Sequence, residues 1–130
     1  MRKEVLFVGF IALLLLAACN AVPDINSKTL PEGDAERGET LFHESVDGTA
    51  SCVSCHLTTD ETLIGPGLAG IAERAASRVD GLSAVDYIVD SIVHPANFIV
   101  SGYSNLMYAG YGRKLSEQDI ADLLAYLLTL

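Results

Sequence analysis

Basic side chains are scarce in this 130-residue chain: 8 Lys and Arg stand against 17 Asp and Glu, a formal net charge of −9. Nucleic-acid phosphates repel such a chain and anionic lipid head groups do not attract it, so nucleic acid is excluded as an expected partner. Cysteine is scarce too, with three residues. A closed structural zinc site takes four ligands, usually two pairs at short spacing, and three thiols leave the second pair missing. The apolar run from Val5 to Ala18 is 14 residues long, short of the ~20 that a spanning helix requires. No segment alternates apolar and polar residues over six or more positions, so nothing here predicts a sheet. There is no internal repeat, and the only methionines are Met1 and Met107.

Against these absences stands Cys52-Val53-Ser54-Cys55-His56. A bare Cys-x-x-Cys has three common meanings: half a zinc site, a thioredoxin-like redox pair, or covalent attachment of a c-type haem. Zinc would have to recruit His43 or His94, at no recognised spacing. A redox pair follows a strand, and here Thr49-Ala50-Ser51 precedes Cys52 instead of a β-branched run. The histidine directly after the second thiol is what haem attachment requires and what the other two readings leave unused. Cys52 and Cys55 would each form a thioether to a haem vinyl group, and His56 would ligate the iron.

The third cysteine has its own context. Arg2 and Lys3 precede the apolar run, and Leu16-Ala17-Ala18-Cys19 closes it. A short apolar core behind positive charges reads as an export signal, and its last four residues resemble the lipobox of bacterial lipoproteins. The expected division is a signal peptide over 1–18, a lipid-anchored tether over 19–32 starting at lipidated Cys19, and one folded domain over 33–130. Cleavage would leave six basic and 16 acidic side chains, a formal net charge of −10. A partner with a basic docking face is favoured by that field. The expected location is the extracytoplasmic face of a membrane in the bacterial cell envelope.

Four helices are predicted in the folded part. The first starts at an Asp34 N-cap with Glu36 in its first turn, turns Leu41 and Phe42 inward and ends near Glu44. The second covers Leu68 to Arg78. The third starts at Ser83, with Asp86 completing a capping-box-like pair, and stops at Val93 because Pro95 disfavours helix at His94. The fourth starts at Ser116 and places Ile120, Leu123, Leu124 and Leu127 on one stripe. The loops between them hold the glycines, among them Gly65 and Gly67 around Pro66, and Gly102, Gly110 and Gly112 around Met107. The fold class is all-α, with long loops folded onto a haem. The residues alone leave the second axial position of the iron open between Met107, His43 and His94, or unfilled.

With the attachment motif, Gly65-Pro66-Gly67-Leu68, and Met107 ahead of a C-terminal amphipathic helix, residues 33–130 resemble a class I c-type cytochrome. The resemblance implies one covalent haem c with His56 and Met107 as iron ligands. It implies that the first and last helices cross closely at Gly38 and Phe42 against Leu123, Tyr126 and Leu127. It also implies that the Pro66 carbonyl bonds the proximal imidazole. Tyr108 follows Met107 where the family often has proline. For the haem propionates Arg78 is preferred over Arg74, because it precedes a glycine-containing loop. Residues 91–103 resemble cytochrome domains of terminal oxidases and small haem lipoproteins of alternative respiratory complexes. The function implied is one-electron transfer in a respiratory or photosynthetic chain, not enzymatic catalysis, with no small-molecule substrate. Membrane electron-transfer complexes would be donor and acceptor, and the chain would serve as free carrier or as subunit. The tether would let the domain swing between them. The competing reading is a ligand-binding or catalytic haem protein whose sixth site is open or labile.

Overall fold

In the computed structural model, which describes residues 22–130, side-chain caps start the three longest helices. The Asp34 carboxylate accepts from the Glu36 and Arg37 N–H groups and opens α1, Ala35–His43. Ser83 accepts from the Asp86 N–H and opens α3, Ala84–Val93. Ser116 and Asp119 form a full capping box at the head of α5, Glu117–Leu127. Such caps satisfy N–H groups that have no partner within the helix. Two shorter helices, α2 (Ile71–Ala75) and α4 (Tyr111–Lys114), complete a set of five, and no strand occurs among the described residues. The architecture is all-α, as expected, with one helix more than the four predicted.

Two of the expected boundaries change. The second helix begins three residues late, because no helix can pass through the conformation of Gly70; ahead of it the N–H groups of Leu68, Ala69 and Gly70 bond the carbonyls of Leu57, Thr59 and Leu130. Gly70 then takes a left-handed conformation (φ 65°) to start α2, a cost that glycine bears best. After Ala75 the chain tightens, with Ser77 and Arg78 bonding three residues back to Arg74 and Ala75. The extra helix, α4, lies in the stretch expected to be loop. One turn that follows Gly110 and contains Gly112 shows no period to read.

The crossing of α1 over α5 is the most extensive contact between helices. Gly38 makes it possible: a Cβ there would collide with the Asp122 backbone carbonyl and the Tyr126 Cβ. Phe42, 1% exposed, packs against Tyr126 with ring centroids 5.6 Å apart. Asp122 is buried in the same crossing. Its carboxylate accepts from the Asp34 N–H at 2.7 Å and the Gln118 amide at 2.8 Å, and pairs with Arg37. Burial pushes the Asp122 carboxyl up, but those three donors outweigh it and hold it below the usual carboxylate range.

The described part of the expected tether is not loose. Val22, Ile25 and Leu30 pack against the core. A 3-10 turn at Ser27–Thr29 is capped by Asn26, Ser27 donates to Asp86 on α3, and the Gln118 amide of α5 donates to the Glu32 carbonyl at 3.0 Å. Apolar residues at 22, 25 and 30 follow neither the helix nor the strand period, so periodicity did not mark them. The expected signal segment and Cys19 lie outside the described residues.

Candidate functional site

A cavity of about 240 Å3 opens between α2, α3, α5 and the loops that precede α2 and α4. Phe42, Ile71, Ile88, Ile92, Leu123 and Leu127 form part of its wall, so the inward stripes of α1, α3 and α5 serve both as core and as lining. Cys52, Cys55, His56 and Met107 all reach this one cavity.

A tight turn gathers the first three. Cys52–Ser54 is a 3-10 turn, and the N–H groups of Cys55 and His56 both donate to the Cys52 carbonyl, at 3.1 and 2.9 Å. The thiols at positions 1 and 4 therefore lie on the same side of the chain as the imidazole. Burial pushes the Cys52 thiol up to about 11. Among the described residues neither thiol has a disulfide partner. Among the described residues no group of three or more His, Cys, Asp or Glu side chains could hold a metal ion, and no strand leads into Cys52. The zinc and thioredoxin-like readings therefore lack their structural context.

His56 is oriented by the Gly65-Pro66 loop. Its Nδ1 lies 2.9 Å from the Pro66 carbonyl. A carbonyl can only accept, so Nδ1 carries the proton and Nε2 keeps its lone pair. The Gly65 N–H in turn donates to the Cys55 carbonyl at 2.8 Å, tying the loop to the motif. A side chain at 65 would run into the His56 ring. This is the bond the resemblance implied, and it raises the basicity of the free nitrogen.

Met107 is half-buried and packs against the core from the opposite stretch of chain. His43 and His94 do not reach the cavity. His43 is exposed and its Nδ1 bonds the Glu39 carbonyl at 2.9 Å. His94 pairs with Asp90 at 3.1 Å. Tyr108, 45% exposed, also lines the cavity. Its ring covers Gly110, where a Cβ would strike it, and stands edge-on to Tyr111 at 5.3 Å.

Arg74 and Arg78 both line the cavity, but differently. The Arg74 Nη2 donates to the Gly67 carbonyl at 2.8 Å. The Arg78 Nε is buried with no hydrogen-bond partner among the described residues. A buried donor left unpaired is costly, and a carboxylate would satisfy it. Sequence reasoning passed over Tyr111, whose hydroxyl donates to the Ala50 carbonyl at 2.7 Å. Burial pushes that phenol up to about 12. No pattern in the sequence ties Tyr111 to a carbonyl 61 positions away.

Two adjacent thiols, an imidazole with a fixed tautomer, a thioether, an unpaired guanidinium nitrogen and an apolar wall suit a covalently attached haem. The family model described as cytochrome c matches residues 35–130. No curated protein matches the chain.

Proposed function

The chain belongs to the cytochrome c family, and from that premise we propose that it is a membrane-tethered electron carrier whose iron is held by His56 and Met107. Family membership makes it a carrier of electrons through covalent haem c, not an enzyme. The ligand pair rests on one observation: His56, with Nδ1–H committed to Pro66, shares its cavity with Met107, the only methionine after Met1.

When bound, haem supplies a one-electron Fe(II)/Fe(III) couple. Cys52 and Cys55 hold the group to the turn. His56 presents Nε2 in one orientation, because the Pro66 carbonyl fixes its other nitrogen. Met107 offers a neutral, soft sulfur, which favours the ferrous state and raises the potential. The apolar wall keeps water from the ligands, and Arg78 pairs with a propionate. Acidic surface charge speeds encounter with partners that present a basic face. Cys19 carries the lipid that keeps the carrier at high local concentration beside membrane-bound donors and acceptors of a respiratory or photosynthetic chain.

Optical spectroscopy of the ferric protein tests the ligand pair. The weak far-red charge-transfer band of sulfur ligation is expected in the wild type, and Met107→Ala removes it and opens the iron to CO. Wild-type protein that lacks the band and binds CO reverses the assignment in favour of a labile sixth site.

A further inference from the structure

The stretch between Cys19 and the folded domain is far shorter than a tether over 19–32 implies. Were residues 19–32 free, 14 steps of chain to Gly33 would reach up to ~50 Å. The structure removes most of that length. Val22 already packs against the core, as do Ile25 and Leu30. Ser27 is bonded to Asp86 and Glu32 to Gln118. Only Asn20 and Ala21 separate Cys19 from Val22, so Cys19 can lie no more than ~11 Å from the Val22 Cα, three trans-peptide steps away.

That distance decides the pose. A domain of about 100 residues has a radius of gyration of ~13 Å and is therefore roughly 34 Å across. A leash of ~11 Å cannot pass around such a body, so the pole that carries Val22 stays at the surface holding Cys19.

The pole is identified by Gly112. A Cβ added there would approach the side chains of Val93 and Val22 to 2.7 and 2.8 Å, so Val22 lies on the Gly112 side of α4. The neighbouring Tyr111 lines the cavity, so α4 has the cavity on one side and the docked segment on the other. α4 ends in Arg113 and Lys114, both exposed. They are two of only six basic residues after residue 18. Net charge gives the chain no affinity for anionic lipid, so the leash holds the pole at the surface; Lys114 is paired with Asp47 at 2.7 Å, which leaves Arg113 to meet the phosphates there.

We propose that residues 22–32 are a docked strap that fixes the domain on the lipid surface in one orientation, with the Val22 side of α4 toward the bilayer and the cavity on its other side. The partner surface is thus the membrane itself, and a redox partner meets the domain from the side or from above. This rests on the lipid-anchor reading of Cys19. It replaces the swinging domain expected of a free tether.

The test uses the full-length, lipidated holoprotein on supported bilayers of phosphatidylethanolamine and phosphatidylglycerol. Polarised absorption of the haem reports its tilt against the bilayer plane. A definite linear dichroism is expected. Inserting a flexible 12-residue Gly-Ser spacer between Ala21 and Val22 lengthens the leash without touching the strap, and the dichroism should vanish while the protein stays bound. An isotropic signal from bound wild type overturns the fixed pose, as does dichroism that survives the spacer. Cys19→Ser is the separate control. Its release from the bilayer supports the anchor, and its retention overturns the anchor and the proposal with it.

Discussion

The α1–α5 crossing and the cavity wall share Phe42, Leu123 and Leu127, yet they are built on opposite terms. At the crossing the buried carboxylate is answered from within the chain: Asp122 has Asp34, Gln118 and Arg37, and Gly38 brings two backbones into contact. At the cavity, Arg78 keeps a buried donor unpaired, and Ile64, Ile99, Leu106 and Tyr108 stand 42–70% exposed along the lining. Stability is therefore concentrated at the crossing and chemistry at the cavity. Two glycines express the difference. Gly38 makes room for a helix, and Gly65 makes room for one imidazole ring.

Substituting each of them separates the regions. Gly38→Val puts atoms where the Asp122 carbonyl lies, and backbone cannot give way as a side chain can. A loss of about 3 kcal/mol or more in the denaturant unfolding free energy of the holoprotein is expected. If the loss stays under about 1 kcal/mol, the crossing is not the rigid element. Gly65→Ala presses on the His56 ring instead, which can move. The expected stability loss is smaller, about 1–2 kcal/mol, and the main effect appears in the potential. Weakening the bond to the Pro66 carbonyl lowers the basicity of the proximal nitrogen, so the midpoint potential should rise. A potential unchanged in Gly65→Ala removes Pro66 from the ligand's control.

The buried carboxylate gives the crossing a pH signature on the acid side. The Asp122 carboxyl is held below its ordinary value of ~3.9, against the burial that pushes it up, by Asp34, Gln118 and Arg37. A group depressed in the folded state contributes stability above the unfolded value and loses it as pH falls through the folded one. Wild-type stability should therefore drop below about pH 4. Asp122→Asn keeps the shape but weakens the hydrogen bonds and should cost about 1–2 kcal/mol at neutral pH. Its stability should then change less between pH 5 and 3, as read from urea unfolding at each pH. An acid limb as steep as that of the wild type would assign the effect to other carboxylates.

How much of this could be read in the sequence follows the same division. Caps are local, so Asp34, Ser83 and Ser116 marked three helix starts, and Pro95 marked the end of α3. The attachment motif is local as well, and the structure brings Cys52, Cys55, His56 and Met107 to one cavity. What stayed hidden depends on partners distant in the chain. Leu68 and Ala69 bond the carbonyls of Leu57 and Thr59 instead of opening α2. The burial of Asp122 depends on Asp34, 88 positions away. The segment over residues 22–32 reads as a polar, proline-bearing linker until Asp86 and Gln118 are seen to hold it.

The smallest expected effect lies where the two regions meet. Tyr111 lines the cavity, yet its hydroxyl does a structural task by donating to the Ala50 carbonyl just ahead of the Cys52 turn. Tyr111→Phe removes that donor and leaves the ring in place. One neutral hydrogen bond is worth about 1 kcal/mol, with a further cost if the carbonyl is left without a partner. A loss of about 1 kcal/mol is expected, with no change in the far-red band or in CO reactivity. That outcome keeps Tyr111 with the scaffold, although it stands among the cavity residues. A lost band in Tyr111→Phe would mean that the Ala50 contact holds the motif turn and the Met107 loop in register. The line between scaffold and chemistry would then run through Tyr111 itself.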